Sequence, residues 1–491
     1  MKKLILLFLS YFFINCQPKE QPLSITGEVS NYTEDYVIFA QDTTGFGLKT
    51  IIDTVELAQD GKFNLVTPAR FKSDPIILFD LPQPFRLSFS KFVTEPIVFD
   101  LDVSAVDSLT IYGKQAPFIQ YHQDQEKYWI HIYEDMAMRH PVLAKSDNQK
   151  EEYHKIQDTV TQMRISFLED YFQGLKMENV DHFIEFEKNS LIYSNLFYRM
   201  SGQATEIIKK LSFYQDSSKD DFETLTYSDQ VNFSDPALFQ IPFYRKFIID
   251  FLMNDVRLNS ADDHPSTYEY FLISGIDRIN IWFKTPETRS LAQVIFINDL
   301  LSNAIIFNAQ INVDRFRKRI DELEEDPLAY QYVPVLKDVL SNLENSMAKL
   351  SIGKKAPDFN LIDEHDEFFS LSDATDKIIF IDVWASWCAP CISAFPKWNN
   401  LVLKNQDNKK TEFLTISVDE NPELWEKGLE KYSLKGKNLY AGMGAFKTGF
   451  ALDYNIKALP HYIAIDNNGR ILSVTPSFDE IEQIALKFGT N

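Results

Sequence analysis

Three patterns of apolar and polar residues succeed one another along the chain. Over 23–112 the apolar positions come in short, partly alternating, β-branched runs, and 23–29, 36–40, 50–56, 62–65, 76–81, 86–89 and 108–112 each read as a strand. Ala58-Gln59-Asp60-Gly61 between two of them is turn chemistry, with Gly61 free to take positive φ. From 118 to 350 the period lengthens to that of a helix. Phe243, Phe247 and Phe251 recur four apart, and Ile320, Leu323 and Leu328 have acidic residues between them. Segments 214–220 and 259–265, rich in Ser, Asp and Asn or Gln, are the expected loops of this region. Beyond 351 strands and helices alternate. Strands are expected over 378–384, 412–418, 461–465 and 471–474, and helices over 388–403, 422–434 and 478–487. Asn467-Asn468-Gly469 turns the last two strands into a hairpin, and 354–359 is expected to add a preliminary hairpin. The predicted architecture is multidomain: an all-β domain over 23–114, a helical domain over 115–350, and an α/β domain with a mixed sheet over 351–491.

Size and composition fit that picture. A chain of 491 residues is expected to hold roughly three domains at about 100–200 residues each. With 45% hydrophobic residues, 40 Phe and 22 Tyr, it carries enough apolar surface to pack over most of its length. A formal net charge of -22 repels phosphate backbones and anionic headgroups, which argues against nucleic acid and against a polybasic membrane surface. Glycine is scarce and no phosphate-cradling run occurs, which argues against nucleotide binding. The histidines at 122, 131, 140, 154 and 182 show no metal-ligand spacing, and no metal or cofactor is expected.

Three cysteines occur, Cys16, Cys388 and Cys391, too few for a disulfide-stapled scaffold. Lys2 and Lys3 precede an apolar run over 4–14 that is too short to span a bilayer, so 1–16 is expected to be a signal peptide. The position of Cys16 resembles the lipobox of bacterial lipoproteins, in which the cysteine is acylated. Phe13 and Asn15 depart from the residues preferred there, and ordinary secretion or a retained anchor are the alternatives. Residues 17–22 would form a polar tether.

The other two cysteines form a C-x-x-C. A cycling dithiol needs one thiolate that attacks and a second sulfur close enough to resolve the mixed disulfide. At the start of a helix, Cys388 gains from unpaired N–H groups and the macrodipole, whereas Cys391 lies a turn inward, so Cys388 is the expected nucleophile and Cys391 the resolver. Ala389 and Pro390 lie between them; Pro390 suits the first turn, where a missing N–H loses nothing, and Trp387 can cover the pair. Half a zinc site is the main competing use, but no second cysteine pair exists and His461 supplies one ligand at most.

Residues 351–491 resemble the TlpA/ResA-like branch of the thioredoxin family. The resemblance rests on Gly353 and Ala356-Pro357-Asp358-Phe359, on Val383-Trp384-Ala385-Ser386-Trp387-Cys388-Ala389-Pro390-Cys391, on Phe395-Pro396, and on Ala458-Leu459-Pro460. It implies a thioredoxin-like fold, a redox-active disulfide between Cys388 and Cys391, and a cis-proline at Pro460 that lends backbone groups to a substrate chain. It also implies a helix kink at Pro396 and a buried acid at Asp382 that takes the proton of the resolving cysteine. For Asp382 the alternative is a carboxylate bonded to nearby backbone. Ala394 stands where ResA-like members often carry glutamate, which leaves proton handling to Asp382. His461 is unusual after the cis-proline and reads as structural or as a minor influence on substrate choice. Residues 23–114 resemble a small β domain that often precedes thioredoxin domains in anchored envelope proteins, through Ile25-Thr26-Gly27-Glu28, Ile52-Asp53-Thr54 and Asp60-Gly61-Lys62-Phe63.

The resulting expectation is an extracytoplasmic thiol-disulfide oxidoreductase, acting as a reductant of protein disulfides and recharged by an upstream thiol donor. It would be held by lipid at Cys16 in the envelope of a Gram-negative-type bacterium, facing the periplasm or the surface. The alternatives are a client-binding or redox-sensing envelope module and a peroxiredoxin-like peroxidase. The second would need a threonine-containing loop around its cysteine, which this chain lacks.

Overall fold

The computed structural model describes residues 23–30, 32, 36–42, 50–67, 76–79, 85–88, 97–102, 109–125, 128, 147–211, 230–259, 267–309, 311–374, 376–475 and 477–489. Cys16, the expected signal peptide and tether, and the loop expected at 214–220 lie outside them, as does most of 259–265. Among the described residues, no helix is long and apolar enough to cross a membrane. The chain divides into two compact units, residues 1–205 with 226–251, and residues 206–225 with 252–491.

The first unit holds two four-stranded sheets. One has the order β4 (Lys62–Thr67), β1 (Leu23–Ser30), β7 (Ile97–Asp102), β8 (Thr110–Tyr112). The other has the order β3 (Thr50–Glu56), β2 (Tyr36–Asp42), β5 (Ile76–Phe79), β6 (Phe85–Ser88). Alternation turns Ile25 and Val29 of β1, Phe63 of β4 and Ile97, Phe99 and Leu101 of β7 into one core, shared with Val37, Phe39 and Ile77 of the second sheet. The 58–61 turn forms as expected, with Gly61 at φ 79 and its N–H on the Ala58 carbonyl. Strand β7 was not foreseen. It is an interior strand whose parallel pairing sets Ile25 against Ile97, a long-range contact that no local pattern announces. Phe118 and Tyr121, in a helical stretch over 116–125, close the same core with Leu168 and Phe172 of α1 (Asp147–Phe172) and Phe183 of α2 (Val180–Leu211).

The helical region expected over 115–350 is thus divided: α1 and α2 as far as residue 205 belong to the first unit, and a second division falls within α3 (Pro242–Leu258). Phe247 and Phe251 of the stripe on α3 are buried. The second unit continues with α4 (Tyr268–Trp282), α5 (Pro286–Ile306), α6 (Val313–Glu324) and α7 (Val333–Lys349). Ile320 and Leu323 are buried on α6, but Leu328 lies past its end and is exposed, because the helix stops at a cap on Glu325 two residues before Pro327.

The rest of the second unit is a seven-stranded mixed sheet of order β10-β9-β13-β12-β11-β14-β15. Its strands are β9 (Asn360–Asp363), β10 (Phe368–Ser370), β11 (Ile378–Trp384), β12 (Thr411–Ser417), β13 (Lys437–Tyr440), β14 (His461–Ile465) and β15 (Ile471–Thr475). β11, β12 and β13 are parallel, so each step needs a crossover, supplied by α8 (Ala389–Lys404) and α9 (Pro422–Tyr432). A short α10 (Gly449–Asp453) precedes β14, and α11 (Phe478–Gly489) ends the unit. The first hairpin is β9–β10, a few residues later than the expected 354–359, because the Asp363 carboxylate accepts from the N–H groups of His365 and Glu367 and builds the turn there. β13 was also missed; it has four residues and too little length for a periodic signal.

Candidate active site

β11 is the most apolar strand of the sheet and lies inside it, flanked by β12 and β14, so its residues lose water on every side. Directly after it the chain turns through 385–387 into α8. Cys388 is the N-cap: its sulfur receives the N–H of Cys391 at 3.2 Å, and its carbonyl accepts from Ile392 at 3.1 Å. Pro390 falls in the first turn, where no amide hydrogen is required, and Pro396 lies inside the helix. Cys388 and Cys391 are joined as a disulfide with Cα atoms 5.3 Å apart. Cys388 is 4% exposed and Cys391 0%, so the order of exposure expected of nucleophile and resolver is present but small. Trp387 is about half exposed and stands edge-on to Phe446, with ring centres 6.1 Å apart.

Asp382 sits on β11, opposite Thr415 of β12 and Tyr462 of β14. Alternation puts it on the face of Phe380, which α8 covers with Trp398 and Leu401. Its carboxyl is wholly buried and neither oxygen has a hydrogen-bond partner, so the alternative of a backbone-bonded aspartate does not describe it. Burial pushes its pKa up to about 8. The Tyr462 hydroxyl is buried without a partner as well, and burial together with the nearby Asp382 charge raises its pKa.

The Leu459–Pro460 peptide bond is cis. Pro460 leads into β14, whose first residue, His461, pairs with Val383, five positions before Cys388. His461 is fully buried, both ring nitrogens lack partners, and burial lowers its pKa to about 4, so it is neutral near pH 7.

Asp419 was not singled out by sequence reasoning. It follows β12, is fully buried, and its carboxylate accepts from the Ser386 N–H at 3.0 Å, the Ser386 hydroxyl at 2.7 Å and the Ser417 hydroxyl at 2.8 Å. It therefore ties the turn that presents Cys388 to the end of the neighbouring strand. The available signal was an acid just past a parallel strand, at the sheet edge where α/β folds build their sites. Asp419→Ala strands the buried Ser417 hydroxyl and the part-buried N–H and hydroxyl of Ser386, and is expected to lower the unfolding free energy by about 2 kcal/mol, read from urea titration. Ala394 is fully buried in α8, so no carboxylate occupies that position of the helix.

Residues 351–483 match the Redoxin family. The chain is 28% identical over 137 residues to the thiol-disulfide oxidoreductase ResA of Bacillus thuringiensis subsp. konkukian (strain 97-27), covering 28% of this chain and 76% of that one. It is 29% identical over 150 residues to the ResA of Geobacillus kaustophilus (strain HTA426), covering 30% and 82%. Among solved structures, the thioredoxin domain of a thiol-disulfide oxidoreductase from Bacteroides vulgatus is 25% identical, with 29% of this chain and 99% of that one aligned at a TM-score of 0.27. The family match and the ResA relatives, with the helix-capping disulfide on a mixed sheet and a cis-proline before β14, make residues 351–483 a Redoxin domain, a thioredoxin-like thiol-disulfide oxidoreductase similar to ResA.

Proposed function

We propose that the protein reduces disulfides of protein clients outside the cytoplasm, with Cys388 as nucleophile and Cys391 as resolver. The observation that carries this reading is the Cys388 sulfur at the N-cap of α8, bonded to Cys391. In the dithiol form, the Cys388 thiolate attacks one sulfur of a client disulfide. A Cys388–client bond forms, the client S–S bond breaks, and the client's other sulfur leaves as a thiolate and takes up a proton. Cys391, its proton passed to Asp382, attacks Cys388, the mixed disulfide breaks, and the client departs with both cysteines reduced. Two electrons have then moved to the client, leaving the Cys388–Cys391 disulfide seen in the structure. A thiol donor upstream resets the pair.

Ala389 supports the reductive direction, since it places no cation beside the thiolate and the strong anion stabilisation of a powerful oxidant is missing. A potential for the pair below roughly -150 mV is expected in a glutathione-buffered titration, and a higher value would reverse the direction. Lys2, Lys3, the apolar run over 4–14 and Cys16 support export and lipid attachment in the cell envelope. The experiment that tests the reading is reduction of insulin by the full chain, with dithiothreitol as electron source, against Cys388→Ser.

A further inference from the structure

Carbonyls at the C-terminal end of a helix find no partner within it and must be satisfied from outside. Those at the end of α10 are met by residues of α7 and of the turn after α5. Lys349 Nζ donates to the Leu452 carbonyl at 2.9 Å and lies 3.9 Å from the Asp453 carboxylate. Asn308 Nδ2 donates to the carbonyls of Tyr454 at 3.2 Å and Asn455 at 3.1 Å. Asn455 returns its own amide to Asn308 Oδ1 and, at 2.6 Å, to Ser346 Oγ, whose hydroxyl donates to Asn308 Oδ1 at 3.3 Å.

Both asparagines stand in the left-handed region, at φ 51 and 49. Each closes a helix: Ala309 N–H reaches the Ala304 carbonyl beyond α5, and Ile456 N–H reaches the Ala451 carbonyl beyond α10. Asparagine tolerates this conformation better than most residues, and its side chain remains free to bond outward. Asn308 is 5% exposed, so its amide has been taken from water for these partners. Two helix ends are thereby joined side chain to side chain.

The junction lies close to the chemistry. Ile456, next after Asn455, is buried in the same apolar cluster as Cys388 and Cys391, and Leu459 packs against that cluster. The cis bond to Pro460 follows directly, and with it the strand that pairs with β11. We infer that α5 and α7 brace the segment leading to Pro460, and that Asn308 is a positioning residue: by holding Tyr454 and Asn455 it keeps the backbone at Pro460 where an extended client segment is gripped. This role rests on the oxidoreductase reading above. It makes the helices ahead of the Redoxin domain part of its client platform.

Asn308→Gly tests the role, because glycine accepts the left-handed turn and removes only the side chain. In the full chain, the KM for insulin is expected to rise about fivefold with kcat little changed, as for a lost positioning hydrogen bond. Reduction of a small aryl disulfide of nitrobenzoate, which is too short to lie along the Pro460 backbone, is expected to stay at the wild-type rate, and so is the potential of the Cys388–Cys391 pair. Asn308→Asp keeps the acceptor toward Asn455 and Ser346 but sets an oxygen against the carbonyls of Tyr454 and Asn455, so it should raise the insulin KM at least as far as glycine does. An unchanged insulin KM overturns the positioning role, and so does an equal loss on both substrates, which marks a general fault in the fold. A wild-type chain that reduces neither substrate overturns the oxidoreductase reading instead.

Discussion

Cys388→Ser is expected to abolish insulin reduction, leaving only the background rate of dithiothreitol. The hydroxyl at the cap of α8 would still meet the amide of Cys391, so the helix start should survive and the loss should be chemical. A serine oxygen is not ionised near pH 7 and forms no bond to sulfur that Cys391 could break, so no part of the cycle remains. Cys391→Ser should behave differently. Its nucleophile is intact, the first exchange proceeds, and the client stays bound through Cys388 as a mixed disulfide visible on a non-reducing gel. Retention of more than about a tenth of wild-type turnover by Cys388→Ser would remove Cys388 from the mechanism, since positioned groups of lesser weight typically account for factors of about a hundred or more.

Asp382→Asn is expected to make the protein more stable and a slower catalyst. The folded-state pKa of Asp382 is raised to about 8, above the ordinary carboxylate value. The folded protein therefore holds this proton more tightly than the unfolded chain does. The stability associated with it is fully present below about pH 4, falls as pH rises through the window from about 4 to 8, and is gone above it. At pH 7 the ionisation available only to the unfolded chain corresponds to a ceiling of about 4 kcal/mol. An Asn carboxamide escapes that penalty but buries N–H groups without partners, so a gain of about 2 kcal/mol is expected, with a flatter pH profile from urea titration. Catalysis should change in the opposite sense. With the acceptor gone, release of the mixed disulfide by Cys391 is expected to slow by at least about tenfold, and its rise with pH through about 8 should vanish. Stopped-flow tryptophan fluorescence during single turnover would follow that step. A variant both less stable and equally fast would remove Asp382 from its place as proton acceptor.

The two sets of residues differ in how far they could be seen in advance. Cys388, Cys391, Pro390 and Pro460 stood out because their meaning is local: two sulfurs three positions apart at a helix start, a proline where an amide is not needed, and a motif before a strand. Asp382 was visible as an acid on an apolar strand, but its isolation from every hydrogen-bond donor depends on β12, β14 and α8 closing around it. Asp419 was overlooked because its partner Ser386 lies 33 residues earlier. Asn308 and Asn455 are 147 apart, and in isolation each is only an asparagine at the end of a helical run. Strand β7 escaped for the same reason, its parallel neighbour β1 lying 72 residues earlier, where Ile25 pairs with Ile97.

The sequence by itself determined the main alternation of strands and helices in residues 351–491, apart from β13 and the short α10, and the placing of a dithiol at a helix N-terminus, because periodicity, capping and turn chemistry act over a few neighbouring residues. Only the tertiary structure decided which carboxyl would be stripped of water, which would hold the active-site turn, and which helix ends would be fastened ahead of Pro460. Those outcomes depend on polar groups from distant stretches of chain arriving at one buried place, where desolvation makes each partner, or its absence, count.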